Sequence, residues 1–198
     1  MHEITEGLER LPTQIAYDQH VDFFVMGRHK DVSRGSVSGL GVIIERSDGG
    51  KAKPIAAASD TTESTHYRAL LTGVLSSLEW AAINCNQGTL KCIHSSEEAI
   101  YLHLPKGIKK WVTEPERQNR KLLAKIDALL DSILNVNFKR LRVDDPRYLE
   151  AKKLAEGAAD RRASQSVTSN EAWKLEPEHP EFDADTEMLR RNALAKDP

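Results

Sequence analysis

Polar and hydrophobic residues alternate with a period of two in the region that follows residue 20. The segment HVDFFVMG places Val21, Phe23 and Val25 on one side, and its aromatic and β-branched residues predict a first strand. The polar stretch RHKDVSRGSVSG predicts a long loop that turns the chain back into a second, antiparallel strand, LGVIIER. A turn at 48–50 precedes a short third strand, KPIAAASD, with Pro54 at its start. The pattern therefore predicts three antiparallel strands in succession.

From Ser64 onward the hydrophobic positions recur every three or four residues, which is the period of an amphipathic helix. This helix should reach about Ala82, with its capping residues between Asp60 and Ser64. The apolar positions that predict it are Leu70, Leu71, Val74, Leu75 and Leu78.

The strand period and the helix period then alternate along the chain. TLKCIH predicts a fourth strand, and residues 97–104 predict a short helix that Pro105 and Gly107 end. Residues 117–134 predict a longer helix, NFKRLRV a fifth strand, and Pro146 the start of a last helix. The predicted order is βββαβααβα, an α/β domain.

After Arg162 the composition changes to Ser, Thr, Gln and Asn and then to acidic residues. We therefore divide the chain into an N-terminal extension (1–20), one folded domain (21–163) and an acidic, partly disordered tail (164–198). The tail carries isolated apolar residues that could dock on a partner protein or lie across the protein's own body. They are Trp173, Leu175, Phe182, Met188 and Leu189.

Composition and charge narrow the class of protein. Hydrophobic residues make up 39% of the 198 positions, enough for a folded core, and no apolar run has the length of a membrane-spanning helix. The N-terminus is acidic where a secretory signal would be basic, and only two cysteines are present, so we expect a cytoplasmic protein. The net charge of −2 combines acidic ends with a mildly basic body, which is weak support for contact with a polyanion.

The element order and several segments resemble type 1 ribonuclease H. GSVSGLGVII is similar to the family's glycine-rich second strand, THYRALLTGVLSSLEWA to its first helix and LEAKKLAEGAA to its last, and Trp111 falls where the family keeps a tryptophan. The resemblance covers about residues 20–160 and implies a ribonuclease H-like fold. That fold is a mixed five-stranded sheet, with the three antiparallel strands first, flanked by helices, here followed by an extended C-terminal tail.

The same resemblance implies hydrolysis of phosphodiesters by two metal ions held by four carboxylates. The positions that match those carboxylates hold Met26, Leu70, Ser95 and Lys152. A shift of one residue gives Val25 or Gly27 for the first and His94 or Ser96 for the third, and none of these is an acid. We therefore predict a pseudoenzyme with no cofactor and no bound metal, which leaves an RNA–DNA hybrid intact in Mg²⁺ or Mn²⁺.

Other acids could in principle replace the missing ligands. Asp22 lies on the same predicted strand as Met26 but about 13 Å away at the rise of a strand. Acids near element ends could gather at one rim, although ordinary capping and turn formation are the favoured explanation: Glu63, Glu97, Glu98, Asp144 and Asp145. The seven histidines lack the i, i+4 spacing of a helical zinc site, and we expect surface or core roles for them, with His66 and His94 near the former active-site face.

Basic residues beside an aromatic one could still bind nucleic acid without catalysis, although a solvated helix face explains them equally well. The candidates are Arg28, Lys30, Arg34, Lys106, Lys109, Lys110, Trp111, Arg117, Arg120 and Lys121. The sequence thus leaves three functions open. The first is a structural or adaptor subunit of a protein assembly, with the tail as a contact. The second is a non-catalytic binder of duplex or RNA–DNA hybrid, and the third is a divergent metal-dependent nuclease.

Overall fold

The structure is a computed structural model that describes residues 19–32, 35–50, 52–59 and 65–166. The N-terminal extension and the acidic tail predicted from the sequence lie almost entirely outside the described residues. The last helix continues three residues beyond the predicted end of the domain, to Ser166.

Five strands form one mixed sheet in the order β3-β2-β1-β4-β5. They are β1 His20–Val32, β2 Gly35–Arg46, β3 Ile55–Ser59, β4 Leu90–Ser95 and β5 Val136–Arg140. β1, β2 and β3 are antiparallel, whereas β1, β4 and β5 are parallel. The mixed sheet and the element order agree with the prediction.

Helices cover both faces of the sheet. They are α1 His66–Asn84, α2 Leu104–Trp111, α3 Arg120–Ser132 and α4 Pro146–Ser166. α1, α2 and α3 pack on one face of the sheet and enclose the larger core. α4 packs on the other face, against β1, β2 and β3. No helix in the described part of the chain is long and apolar enough to cross a membrane.

The hairpin of β1 and β2 corrects the predicted long loop. The two strands pair continuously from Val21 opposite Arg46 to Val32 opposite Gly35. The apolar pattern is interrupted here because the backbone of α4 packs directly on β2, where a side chain at Gly39 would overlap the carbonyl oxygen of Ala155. Glycine and polar residues therefore occupy positions that still belong to the sheet.

The helix that follows β4 does not end at Pro105 and Gly107 as predicted. A π-helical turn at Ala99–His103 leads directly into α2, and Pro105 lies in the first turn of α2, where its missing N–H is tolerated. Gly107 lets the indole of Trp111 lie against the helix, since a Cβ there would be 2.6 Å from Trp111 Cε2. The start of α1 is also shifted: its N-cap is Thr65, whose hydroxyl accepts from the backbone N–H of Arg68 at 3.0 Å.

Candidate functional site

Met26 lies near the middle of β1 and is only 2% exposed. It faces α4 and belongs to a small apolar cluster, which we call the Met26 cluster. The cluster comprises Phe24, Met26, Leu141, Ala151 and Ala155. The thioether therefore packs mainly against hydrocarbon, in a cluster that contains no carboxylate, whereas Mg²⁺ requires hard oxygen ligands.

Ser96, the residue that follows β4, lies beside Met26. β1 and β4 are parallel with Phe24 opposite His94, so two further steps bring Met26 beside Ser96, and their side chains meet at 3.8 Å between Oγ and Sδ. Ser95 is fully buried, and its hydroxyl instead accepts from the backbone N–H of Glu97 at 3.3 Å. Ser96, the alternative that the sequence left open, therefore fits the position beside Met26 better than Ser95 does.

Leu70 contacts the backbone of β1 beside Met26, from the α1 face of the sheet. A Cβ added to Gly27 would lie 3.0 Å from Leu70 Cγ and 2.9 Å from the carbonyl oxygen of His66. The first turns of α1 thus contact the backbone of β1 next to Met26. Leu70 itself is 1% exposed and part of the larger core, so a carboxylate at this position would have to displace packed hydrocarbon.

Lys152 reaches this region from α4, one residue after Ala151 of the Met26 cluster. Its ammonium lies 4.0 Å from Glu156 Oε1, and the same oxygen accepts the guanidinium of Arg28 at 2.8 Å. The nearby acid is therefore paired with two cations, which oppose the entry of a divalent cation.

The acids at element ends take capping and pairing roles. Asp145 Oδ1 accepts from the backbone N–H of Arg147 at 2.9 Å, and Glu97 lies 3.5 Å from His66. Asp144 pairs with Arg142 at 2.8 Å, whereas Glu63 lies outside the described residues. Among residues 19–32, 35–50, 52–59 and 65–166, no three carboxylates lie close enough together to share a metal ion.

One mixed group of potential ligands does come together, and the sequence reasoning missed it. Asp22, Cys92 and His94 place one ligand atom each within 4.8 Å of the other two. Asp22 Oδ1 and His94 Nε2 are 2.6 Å apart, and the His94 ring stacks on Phe24 with centroids 4.7 Å apart. A search at helical i, i+4 spacing could not find this group, because its signal is the i, i+2 spacing of one strand face.

The pKa values of this pair follow from their contact. Burial alone would lower the pKa of His94, but its hydrogen bonds to Asp22 and Cys92 outweigh burial and raise the pKa. Burial alone would raise the pKa of Asp22, and the hydrogen bond and charge of His94 lower it instead. The two groups therefore favour an ion pair.

Several of the basic residues proposed for nucleic-acid binding are already paired within the protein. Lys109 lies 3.1 Å from Asp127 and 2.5 Å from Asp131 on α3, and Lys30 lies 2.6 Å from Asp160. Arg28 pairs with Glu156 as described above, and Arg120 donates from Nε to the carbonyl oxygen of Val112 at 2.9 Å. Arg28 and Lys30 lie on β1 rather than in a loop.

The face of Trp111 is also occupied, because the guanidinium of Arg117 lies 4.5 Å from its ring centroid. Within the part of the chain that the structure describes, Lys106, Lys110 and Lys121 have no acidic partner within 4 Å and are exposed. Arg34 lies outside the described residues, as do the five apolar residues of the tail. The nucleic-acid and partner surfaces remain predictions.

Comparison with known proteins supports the fold. No family model matches the chain, and no curated protein matches its sequence. Among solved structures, the chain is similar to the N-terminal RNase H domain of Rv2228c from Mycobacterium tuberculosis, with a TM-score of 0.55, 17% identity and coverage of 75% of this chain and 99% of that one. It is also similar to RNase H1 from Halobacterium salinarum, with a TM-score of 0.52, 15% identity and coverage of 72% and 98%.

LC11-RNase H1, whose structure contains an RNA/DNA hybrid, gives a TM-score of 0.54, 17% identity and coverage of 72% and 98%. These likenesses cover 98–99% of each solved chain and 72–75% of this chain. The chain therefore has a ribonuclease H-like fold, as the sequence resemblance implied.

Proposed function

We propose that this ribonuclease H-like fold has lost hydrolysis and works by binding other molecules. The observation that carries the proposal is the lining of the former catalytic centre, where Met26 and Leu70 are buried in hydrocarbon and Lys152 supplies a cation. Two divalent ions a few ångströms apart need several hard oxygen ligands to offset their mutual repulsion. The described residues supply none of these in a group at that position.

A direct test is calorimetric titration of the purified full chain with Mg²⁺. We expect no saturable heat at millimolar Mg²⁺, because neither thioether nor hydrocarbon replaces the water around this strongly hydrated ion. Saturable binding that disappears in Glu97→Gln or Asp145→Asn would refute the proposal. The control is Glu150→Gln. It removes the charge of an exposed acid on α4 that is neither one of the two tested acids nor at a position that matches the family's carboxylates.

For the adaptor role, the support is the combination of an inactive centre with an acidic tail that carries spaced apolar residues. Both cysteines are free thiols, which suits a partner in the reducing cytoplasm. Affinity purification of the full chain from its native source should recover a specific partner protein. Trp173→Ala combined with Phe182→Ala should lose that partner, while Leu149→Ala, which truncates an exposed apolar residue of the body, should retain it.

The alternative function, binding of duplex or hybrid nucleic acid, is favoured by the exposed cations Lys106, Lys110 and Lys121. Hybrid binding that weakens steeply with added salt would support it, since phosphate contacts release counterions. Lys106→Glu combined with Lys110→Glu should then abolish binding. Lys153→Glu combined with Arg161→Glu, which reverses two exposed charges on α4, is the matched control. Binding that both charge reversals weaken equally would show only a nonspecific effect of net charge.

A further inference from the structure

The group of Asp22, Cys92 and His94 lies on the α4 side of the sheet, at the amino-terminal half of β1. Asp22 and Cys92 are directly opposite each other in the parallel β1–β4 pair, and His94 follows Cys92 by two residues. Residues two apart on a strand point to the same face, so all three side chains project to one side of the sheet. Their ligand atoms lie within 4.8 Å of one another.

A fourth potential ligand stands beside this group. His20 precedes Asp22 by two residues on β1, and its Nε2 lies 3.4 Å from Asp22 Oδ2. The sequence pattern is thus His-x-Asp on one strand and Cys-x-His on its parallel neighbour, in register. The carboxylate, the sulfur and the His94 nitrogen already lie together, and the half-exposed His20 ring, which contacts Asp22, would turn towards them to supply the second nitrogen.

We infer that His20, Asp22, Cys92 and His94 form a binding site for one divalent ion of the zinc type. Zinc prefers thiolate, imidazole and carboxylate ligands in tetrahedral arrangement, with bonds of about 2.0–2.3 Å that place ligand atoms about 3.5 Å apart. The present spacing needs only small side-chain movements, chiefly the opening of the 2.6 Å contact between Asp22 and His94. A single carboxylate with sulfur and imidazole does not suit Mg²⁺, so this site differs from the fold's two-metal centre.

The surroundings of the ligands fit this role. The His94 ring is held by its stack on Phe24, and the guanidinium of Arg147 lies 5.5 Å from the centroid of the Phe24 ring. The stack limits the orientations that the His94 ring can adopt. Cys92 is 1% exposed, whereas the side chains of Asp22 and His94 are 19% and 15% exposed and His20 is 50% exposed. The ion can therefore enter from the His20 side and reach the buried sulfur.

The same burial argues against the other function that a Cys, His and Asp group could have. A nucleophilic cysteine must be reached by its substrate, and Cys92 is covered. A metal ion needs only a path of its own size. On binding, the ion would displace the thiol proton of Cys92 and the proton shared by Asp22 and His94, and both protons would be released to solvent.

One cation opposes the site. Lys139 on β5 pairs with His94 in the strand register, and its charge acts on Asp22. The lysine is exposed and can turn towards solvent, so it weakens the site without blocking it. This opposition provides a sensitive test, because removing the charge should tighten metal binding in a way that a purely structural ion pair would not.

The experiment is titration of the chelator-treated full chain with cobalt(II), which replaces zinc and reports its ligands by absorption. We expect a thiolate-to-cobalt charge-transfer band that saturates at one ion per chain and is removed by added Zn²⁺. Cys92→Ser should abolish the band. Cys85→Ser, which removes the only other cysteine, should leave it unchanged.

Two exposed variants keep the test decisive if Cys92→Ser does not fold. His20→Ala should weaken cobalt affinity about tenfold or more, and Lys139→Gln should strengthen it about fivefold through the lost repulsion. A full chain without the charge-transfer band would overturn the inference. A band that depends on Cys85, or an affinity that neither exposed variant changes, would also overturn it.

Discussion

Replacing Met26 by aspartate tests whether the former catalytic centre can still accept a carboxylate. The side chain is 2% exposed within the Met26 cluster, so the substitution removes about 1.5–3 kcal/mol of apolar burial. It also buries a charge beside Ser96, the residue after β4, which offers one hydroxyl. This burial costs about 3 kcal/mol or more. We therefore expect Met26→Asp to lose about 5 kcal/mol of the free energy of unfolding, or to remain unfolded.

The assay is chemical denaturation of the wild type, Met26→Asp and Met26→Leu, each with and without Mg²⁺. Met26→Leu conserves volume and polarity and should cost less than about 1.5 kcal/mol. Mg²⁺ should restore none of the stability that Met26→Asp loses, because Leu70 and Lys152 cannot complete a metal site. A loss under about 1 kcal/mol, or a stability that rises with Mg²⁺, would refute the reasoning.

Three further changes test the packing and the buried charges. Gly39→Ala should cost about 3 kcal/mol and lower Tm by about 6–12 °C, since its methyl meets the backbone of α4. Gly157→Ala within α4, where the methyl makes only an ordinary contact with Arg161 at 3.5 Å, should be neutral or stabilising in the same thermal melt. The ammonium of buried Lys91 donates to the carbonyl oxygens of Asn86 and Leu134, at 2.9 and 3.1 Å. Lys91→Met should therefore be far less destabilising than Lys91→Ala by urea denaturation, and equal losses would contradict this. Desolvation raises the pKa of Glu79, so its charged form opposes folding at a pH above that pKa, and this cost vanishes below the pKa of the unfolded state. Glu79→Gln should therefore be more stable than the wild type at pH 7 and lose that advantage near pH 3. An advantage independent of pH would exclude this cause.

The element order was predictable because each element of the core keeps its own period. The apolar set Leu70, Leu71, Val74, Leu75 and Leu78 predicts α1, and all five residues are buried, together with the smaller residues Ala69, Gly73, Ser77 and Ala81. The sequence predicts the β1–β2 hairpin but assigns 28–39 to its loop, because Gly39 serves the close approach of α4, which is a tertiary contact that no local pattern reveals. Pro105 predicts a helix end, although it lies in the first turn of α2.

The candidate site was predictable only in part, for a similar reason. The positions of Met26 and Leu70 followed from aligned motifs, but the choice between Ser95 and Ser96 needed the register of β1 against β4. The Asp22–His94 contact joins residues 72 positions apart, and only the parallel pairing of two strands brings them together. The ion pairs of Lys109 with α3 likewise depend on how two helices pack, which charge along the sequence does not show.

The measurement that tests the central claim most directly is hydrolysis of a labelled RNA–DNA hybrid by the purified full chain in Mg²⁺ or Mn²⁺. Met26, Leu70, Ser96 and Lys152 occupy the positions that match the family's carboxylates. The hybrid should therefore stay intact even when the protein concentration equals that of the hybrid. Metal-dependent cleavage that disappears in Glu97→Gln or Asp145→Asn would show that other acids hold the ions, and would contradict the loss of catalysis.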